Sequence, residues 1–349
     1  MALLPSGSFG DGWRDILRSK QVPSRDQDDL WKMILDGITR REGKGVLTHL
    51  AVNSGIPLLK ASDQGSEPGI IKEEVTFPEN ILRTPSGLIM LYGDFGPALP
   101  PHDAPSEKDF EKAFWVSTKQ NGITQVWAPR YTMFSRGNVK EKARLLGFHT
   151  SDVETRNSSK EDLAKSMAVD LYAGIGYFVF SYVKMGLGRV LGWELNPWSV
   201  EGLRRGAIAN GWSVKVVSSI ENLDLSDEQI VVLLEDNVKA KERFSGLDSR
   251  DLKNIKHVNC GLLPTSEGSW ETALGLVSRE GWLHLHENVG VHDVEARRAE
   301  IEEIFRGRLR EVSNERNVTV EHVEFVKTFA PGVWHCVFDV CVTSPESSK

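Results

Sequence analysis

The chain has 349 residues, about twice the length of a typical domain, and this length predicts two domains. Hydrophobic residues make up 40% and charged residues 26% of the chain, which excludes a mostly disordered, collagen-like or coiled-coil protein. The net charge of −7 argues against a broadly basic nucleic-acid-binding surface.

Three further features bear on the compartment. The three cysteines (Cys260, Cys336 and Cys341) form no C-x-x-C pair and no disulfide framework. The N-terminus lacks the pattern of a secretory signal, and no stretch approaches the ~18 apolar residues of a membrane span. We therefore expect a soluble, cytoplasmic protein that does not enter a membrane.

The first part of the chain predicts a small α+β domain over residues 30–150. Residues 1–29 are polar and predict a flexible arm, and the polar stretch 151–166 predicts a linker. The elements expected between them, in chain order, are a helix from Leu30, a loop at 53–80, a strand at Leu88–Tyr92, a helix at Asp109–Thr118 and a strand at Gly122–Ala128.

Residues 167–349 have a different pattern, in which apolar runs alternate with helical segments. This alternation predicts an α/β domain with a mostly parallel sheet and helices on both faces. The last two runs, Val318–Phe329 and Val333–Val342, have no helix between them and predict an antiparallel terminal hairpin.

The strongest local motif is D-x-x-A-G-x-G, which begins at Asp170 directly after an apolar run. Gly174 and Gly176 permit a tight turn and a close approach of the backbone to a ligand. The next apolar run ends at Glu194, a position from which a carboxylate can bind both hydroxyls of a ribose. These residues predict a nucleoside-binding site.

The motif favours S-adenosylmethionine over a dinucleotide. Val179 stands where a dinucleotide site would have its third glycine, and Asp170 would repel a pyrophosphate. S-adenosylmethionine has a sulfonium and an amino group and no phosphate, so an acidic loop suits it; a purely structural turn is the other alternative. Asp236 and Asn237 follow a third apolar run, where they either contact the adenine amino group or form a turn.

Six segments resemble one family of tRNA-modifying enzymes. They are Met133–Lys142, Asp170–Phe178, Trp193–Pro197, Gly261–Trp270, His284–Val289 and Phe329–His335. They resemble the family of tRNA wybutosine-synthesizing protein 2, the tRNA(Phe) 4-demethylwyosine 3-amino-3-carboxypropyltransferases, of fungal type. The D-x-x-A-G-I-G-Y-F run is shared with a near relative, the tRNA guanine-N1 methyltransferase that acts at the same purine. The A-P-G-V-W-H and G-L-L-P-x-S-E-x-x-W segments favour the transferase.

The resemblance implies a class-I Rossmann-like methyltransferase fold that uses S-adenosylmethionine as co-substrate. It implies that Glu194 binds the ribose hydroxyls, that Asp236 and Asn237 hold the adenine, and that Lys142 faces the ligand's carboxylate or fixes a domain interface. The implied cofactor-binding residues are Ser135, Lys142, Asp170, Ala173, Gly174, Gly176, Glu194, Asp236 and Asn237. Without the resemblance, Ser135 would be a helix N-cap and Lys142 a solvated helix residue.

The implied reaction moves the aminocarboxypropyl group to a ring carbon of 4-demethylwyosine, at the purine 3′ of the anticodon in tRNA(Phe). The acceptor carbon must lie about 3–3.5 Å from the carbon that it attacks and in line with the breaking bond. A base must then remove one proton, and His286 and Glu287 are weak candidates. His284 and His286 could also share a strand face as metal ligands, but no third ligand is evident, so we expect no metal.

A basic run between Arg130 and Arg144 is the expected site of RNA contact. Its expected phosphate-binding residues are Arg130, Arg136, Lys140 and Arg144, and a solvated helix face is the alternative interpretation. Candidates for stacking on a splayed anticodon-loop base are Trp127, Tyr131, Phe134 and Trp334. We expect a monomer that binds the anticodon loop of tRNA(Phe).

Two other functions compete with this interpretation. A tRNA guanine-N1 methyltransferase would release S-adenosylhomocysteine instead of methylthioadenosine. A non-catalytic RNA-binding protein would need no intact nucleoside site. The residues that argue against it are Asp170, Gly174, Gly176, Glu194 and Asp236, which are all intact.

Overall fold

Two compact units divide the chain in the computed structural model. The first contains residues 1–116 and 127–134, and the second contains residues 117–126 and 135–349. The structure describes residues 1–10, 12, 13, 15, 24–43, 45–53, 80–85, 87–100, 103–150, 156–218, 223, 227–247, 254–312 and 315–344. Residues 54–79 of the expected loop, residues 11, 14 and 16–23 of the expected arm and residues 151–155 of the expected linker lie outside these ranges.

The boundaries between these two units differ from the domain boundaries that the sequence predicted at residues 150 and 166. Residues 135–166 lie within the second unit, because Leu145, Phe148 and Leu163 are buried in its core. The polar composition of residues 151–166 predicted a linker, but the described part of this stretch, residues 156–166, contains the buried Leu163.

The first unit is built on a small sheet of three strands, β1 (Ala2–Leu4), β2 (Leu50–Val52) and β3 (Ile89–Tyr92). Strand β2 lies in the middle, parallel to β1 and antiparallel to β3. Helix α1 (Ser24–Glu42) contributes the buried Trp31 and Leu35 to the same hydrophobic cluster as Ala2 and Leu50. The start of the chain, expected in a flexible arm, therefore supplies a strand of this sheet.

Helix α2 (Glu107–Lys112) ends earlier than the sequence predicted. Residues 116–118, expected within this helix, belong to strand β4 (Val116–Gln120), which pairs with β5 (Ile123–Trp127). Asn121 and Gly122 join the two strands with positive φ angles of 52° and 72°, as a tight hairpin turn requires.

The second unit contains a sheet of eight strands. They are β6 (Met167–Asp170), β7 (Arg189–Glu194), β8 (Val214–Ser218), β9 (Ile230–Leu234), β10 (Ile255–Cys260), β11 (Gly281–Gly290), β12 (Asn317–Ala330) and β13 (Val333–Thr343). Their spatial order is β12-β13-β11-β10-β6-β7-β9-β8. The strands from β11 to β8 are parallel, whereas β13 runs antiparallel to both β11 and β12. The mostly parallel sheet and the antiparallel terminal hairpin are as predicted.

Helices cover both faces of this sheet. They are α3 (Val139–Leu146), α4 (Lys160–Lys165), α5 (Val179–Met185), α6 (Pro197–Ala209), α7 (Ala240–Ser245), α8 (Trp270–Leu276) and α9 (Val294–Glu311). The strands contribute alternate side chains to two separate hydrophobic clusters, with Val169 and Leu191 in one and Ala168 and Val190 in the other. Strands that are buried on both faces explain the continuous apolar runs in the sequence.

None of the helices in the described ranges is both long enough and apolar enough to cross a membrane.

Candidate nucleoside-binding site

The loop after β6 adopts the tight turn that its glycines predicted. Gly174 and Gly176 have φ angles of 53° and 89°, which glycine adopts without strain. A Cβ atom on Gly176 would lie 2.6 Å from the ring of Phe180, so the close packing of α5 also requires glycine here. The N–H of Ala173 donates to the carbonyl oxygen of Trp193 at 2.9 Å, which fixes the loop against β7.

Glu194, at the carboxyl end of β7, is held by backbone N–H groups on both carboxylate oxygens. Oε2 accepts from Gly174 at 2.9 Å and Oε1 accepts from Asn196 at 2.7 Å. Burial raises the pKa of Glu194 to about 7, although both hydrogen bonds act in the opposite direction. Each carboxylate oxygen has a further lone pair, so this fixed group can accept hydrogen bonds from ligand hydroxyls.

Asp170, at the carboxyl end of β6, is buried, and only one of its two carboxylate oxygens has hydrogen-bond partners among the described residues. Its Oδ1 accepts from the N–H of Tyr172 at 3.1 Å and from Nδ2 of Asn259 at 3.0 Å. Its Oδ2 is buried and has no hydrogen-bond partner among the described residues. Burial raises the pKa of Asp170 to about 6, so the carboxyl is mostly ionised at neutral pH. An orphaned carboxylate oxygen next to a glycine turn suits a ligand with hydrogen-bond donors or a positive charge.

Asp236 and Asn237 follow β9, and both take part in local structure. Oδ1 of Asp236 accepts from the N–H of Val238 at 3.0 Å. Asp236 therefore forms the turn that the sequence offered as the alternative to an adenine contact. Nδ2 of Asn237 donates to the carbonyl oxygen of Leu171 at 2.7 Å and so ties this turn to the loop after β6. Strands β9, β7 and β6 are neighbours in the sheet, so Asp236, Glu194 and Asp170 lie along one edge.

Ser135 and Lys142 are linked to this edge through Tyr177, a residue of the loop motif to which the sequence assigned no role. The N–H of Ser135 donates to the Tyr177 hydroxyl oxygen at 3.1 Å. Nζ of Lys142 lies 5.6 Å from the centre of the Tyr177 ring and donates to Oε1 of Gln120 and of Gln125, at 2.8 and 3.0 Å. Burial lowers the pKa of Lys142 to about 8. Lys142 is therefore not a solvated helix residue.

The structure argues against both candidate bases. His286 is buried, and its two ring nitrogens contact Nε2 of His335 at 2.9 Å and Oδ1 of Asn259 at 3.2 Å. Glu287 is also buried, where it accepts from Arg297 Nε and from the Thr265 hydroxyl, both at 2.7 Å. A base needs an available lone pair, and ion pairing and hydrogen bonding occupy these groups.

The expected RNA-contacting residues differ in exposure. Arg144 is only 16% exposed, and its guanidinium binds the carboxylates of Glu141 and Asp339. We therefore assign Arg144 to the interior of the second unit instead of an RNA surface. Lys140 is exposed but pairs with Glu324 at 2.6 Å, and Arg136 is exposed.

The remaining RNA candidates lie partly in the first unit. Arg130 belongs to it, and its Nε is buried with no hydrogen-bond partner in the described part of the chain. The rings of Trp127 and Phe134 stack on each other with 4.7 Å between centres, and the Tyr131 hydroxyl binds the backbone at Pro97 and Leu99. The fourth aromatic candidate, Trp334, contacts the ring of Phe325 edge to face, with 5.6 Å between centres, so all four have partners within the protein.

No group of three or more His, Cys, Asp and Glu side chains within the described ranges is arranged to hold a metal ion.

Comparison with curated proteins finds relatives that are named tRNA wybutosine-synthesizing protein 2. No family model matches the sequence. The chain is 43% identical over 298 residues to tRNA wybutosine-synthesizing protein 2 of Schizosaccharomyces pombe, which covers 84% of this chain and 61% of that protein. It is 33% identical over 330 residues to the Saccharomyces cerevisiae protein of the same name, covering 88% of this chain and 62% of that protein. The chain thus spans about three fifths of the length of these curated relatives.

Solved structures show the same fold at low sequence identity. The crystal structure of P. horikoshii TYW2 in complex with MeSAdo has a TM-score of 0.54 and 17% identity, with 95% of this chain and 97% of that chain covered. The crystal structure of Trm5b from Pyrococcus abyssi has a TM-score of 0.54 and 15% identity, with 92% of this chain and 71% of that chain covered. The expected Rossmann-like fold is confirmed, and the chain is a homologue of the fungal proteins named tRNA wybutosine-synthesizing protein 2.

Proposed function

We propose that this chain transfers the 3-amino-3-carboxypropyl group of S-adenosylmethionine to a ring carbon of 4-demethylwyosine in tRNA(Phe). Methylthioadenosine is the second product. The observation that carries this proposal is the 43% identity over 298 residues to a curated wybutosine-synthesizing protein. The fold alone does not separate this activity from methyl transfer, because the Trm5b and TYW2 structures have the same TM-score.

The chemistry of the site supports a cationic nucleoside as the co-substrate. Three acidic side chains (Asp170, Glu194 and Asp236) lie at the carboxyl ends of neighbouring strands, an arrangement that suits no phosphate group. In the proposed complex, Glu194 accepts hydrogen bonds from the ribose hydroxyls. The orphaned Oδ2 of Asp170 faces the positively charged methionine portion, and Asp236 and Asn237 border the adenine.

The reaction depends mainly on placement. The ring carbon of the base attacks the γ-carbon of the methionine arm, a new C–C bond forms, and the C–S bond breaks with its electron pair going to sulfur. The departing sulfur becomes neutral and needs no acid. The methyl carbon is also an electrophile, so the carbon that lies about 3–3.5 Å from the base and in line with its C–S bond determines the product.

The RNA substrate is proposed to be the anticodon loop of tRNA(Phe), bound by a monomer in the cytoplasm. Arg136 and Lys140 are the exposed cations that support phosphate contact, and Arg130 is a third candidate. Cys260, Cys336 and Cys341 are free and buried, which is compatible with a reducing compartment.

Mass spectrometry of the products tests this proposal directly. The purified chain is incubated with S-adenosylmethionine and with tRNA(Phe) from cells that lack this modification step. We expect methylthioadenosine and a tRNA heavier by one aminocarboxypropyl group. S-adenosylhomocysteine with a methylated purine would instead establish the methyltransferase. The absence of both products would favour the non-catalytic RNA-binding protein.

A further inference from the structure

The proposed transfer requires a proton acceptor. When the acceptor ring carbon forms its new bond it still holds a hydrogen, and that proton must leave for the ring to recover its electrons. His286 and Glu287 are occupied by other partners, as described above. The proton acceptor must therefore be another side chain.

A chain of hydrogen bonds starts at Asp170 and has only one possible direction. The Asp170 carboxylate accepts hydrogen bonds, so the Asn259 group that contacts it at 3.0 Å is the Nδ2 donor. Oδ1 of Asn259 then faces His286 and must accept from its Nε2–H at 3.2 Å. A neutral imidazole carries one N–H, so Nδ1 of His286 is an acceptor and receives the Nε2–H of His335 at 2.9 Å.

The last member of this chain is His335, at the start of β13. Its Nε2 carries the proton, so its Nδ1 holds a lone pair, and this atom is buried with no partner among the described residues. His335 lies directly across from Asn288 at the carboxyl end of β11. The His286 ring lies 5.0 Å from that of Phe178, which follows the glycine loop of the nucleoside site. The free lone pair therefore belongs to the same end of the sheet as the nucleoside site.

We propose that Nδ1 of His335 accepts the proton that the ring carbon of the tRNA base loses after the C–C bond has formed. The C–H electron pair returns to the ring, and the proton forms a new N–H bond on His335. The positive charge is shared with His286 through the Nε2–H···Nδ1 hydrogen bond. This inference rests on the proposed function, because it assigns a catalytic residue for that reaction.

The surroundings of His335 keep its lone pair available before the reaction. Burial lowers the pKa of His335 to about 4, and the positive charge of Lys327 contributes in the same direction. Lys327 on β12 is the cross-strand neighbour of His335 in the register of the sheet. Among the described residues, the titratable groups that contact His335 or act on its charge are Lys327 from β12 and His286 from β11. A weak base is sufficient here, because the adduct that loses the proton is itself a strong acid.

The substitution His335→Gln tests the proposal in the full chain. Glutamine retains an N–H donor for Nδ1 of His286 but supplies no basic lone pair. We expect single-turnover transfer to slow by about 10²–10⁴-fold, the usual contribution of a general base. S-adenosylmethionine affinity should stay within twofold. In this variant we also expect a primary isotope effect with tRNA that carries deuterium at the attacked carbon, because loss of the proton becomes the rate-limiting step. The matched control is His322→Gln, a histidine on β12 that pairs with Glu324, for which we expect the wild-type rate.

A second variant keeps the proposal testable if His335→Gln fails to fold. Lys327→Met removes the charge that lowers the pKa of His335, so we expect the acidic limb of the rate–pH profile to move to higher pH. Transfer by His335→Gln within threefold of wild type and without an isotope effect would overturn the inference, as would an unmoved acidic limb in Lys327→Met. Failure of the wild-type chain to form methylthioadenosine would instead overturn the proposed function.

Discussion

At the scale of single residues, the nucleoside site depends on carboxylates that the backbone holds in place. Glu194 accepts hydrogen bonds from two N–H groups before any ligand binds, and Asp170 is fixed by Asn259 and Tyr172. Such groups lose little conformational entropy when a ligand arrives, so more of each hydrogen bond contributes to affinity.

Glu194→Gln tests the assignment of the ribose hydroxyls. The substitution removes the charge and turns an amide towards backbone N–H groups, so we expect S-adenosylmethionine binding to weaken by about 1.5–3 kcal/mol. Isothermal titration calorimetry measures the affinity, and circular dichroism confirms that the variant is folded. Glu271→Gln on α8, whose side chain is 76% exposed, is the control with unchanged affinity. Equal affinities for Glu194→Gln and wild type would show that Glu194 does not bind the ribose.

At the scale of elements, glycines determine how closely helices approach the sheet and its loops. A Cβ atom on Gly202 of α6 would lie 2.8 Å from the carbonyl oxygen of Val126 and 3.3 Å from Cγ2 of Ile175. Ile175 lies between the two glycines of the nucleoside loop, so the position of α6 supports this loop. Asn196 starts the helix by accepting from the N–H of Trp198 at 2.9 Å, with Pro197 in the first turn.

Gly202→Ala and Gly307→Ala should change stability in opposite directions. The alanine at 202 must displace backbone, and we expect a loss of about 1–3 kcal/mol in the free energy of unfolding. At Gly307, in the second half of α9, nothing lies within 4 Å of the added Cβ, and we expect a gain of about 0.4–1 kcal/mol. Urea unfolding of both variants measures the difference. A Gly202→Ala variant as stable as Gly307→Ala would contradict the close packing of α6.

At the scale of the whole molecule, buried histidines link stability to pH. Burial lowers the pKa of His149 and His335 to about 4, and it lowers those of His257 and His286 well below the ordinary value. A histidine whose pKa is lower in the folded state stabilises the fold above about pH 6.5, its unfolded value, and this contribution is lost as the pH falls. Asp170 and Glu194 have raised pKa values, so their contribution to stability increases as the pH falls. The four histidines outnumber these two carboxyls, and their effect on stability is the larger one.

We therefore expect the free energy of unfolding to fall by about 3 kcal/mol between pH 7.5 and pH 5.5, the balance of the protons gained by four histidines and two carboxyls. Urea titrations at the two pH values measure this change, and near-UV circular dichroism verifies that the protein is native at both. Stability that is constant or rises towards pH 5.5 would mean that these histidines are not buried in neutral form.

Several parts of this protein depend only on neighbours along the chain and could be predicted from them. Apolar runs and their alternation predicted the parallel sheet, its terminal hairpin and the strand ends at Asp170 and Glu194. The glycines of the loop after β6 predicted its tight turn, because the positive φ angles are a local property. The homology to the wybutosine-synthesizing proteins also followed from short motifs.

The availability of side chains for chemistry, in contrast, depends on contacts between residues that are distant in the sequence. The basic run did not reveal that Arg144 pairs with Asp339, a residue 195 positions away, or that Arg136 remains exposed. Likewise, the hydrogen-bond chain from Asp170 to His335 joins four strands, and no local pattern encodes it. Pairing between distant strands depends on the register of the sheet, whereas composition and periodicity report only the environment of each segment.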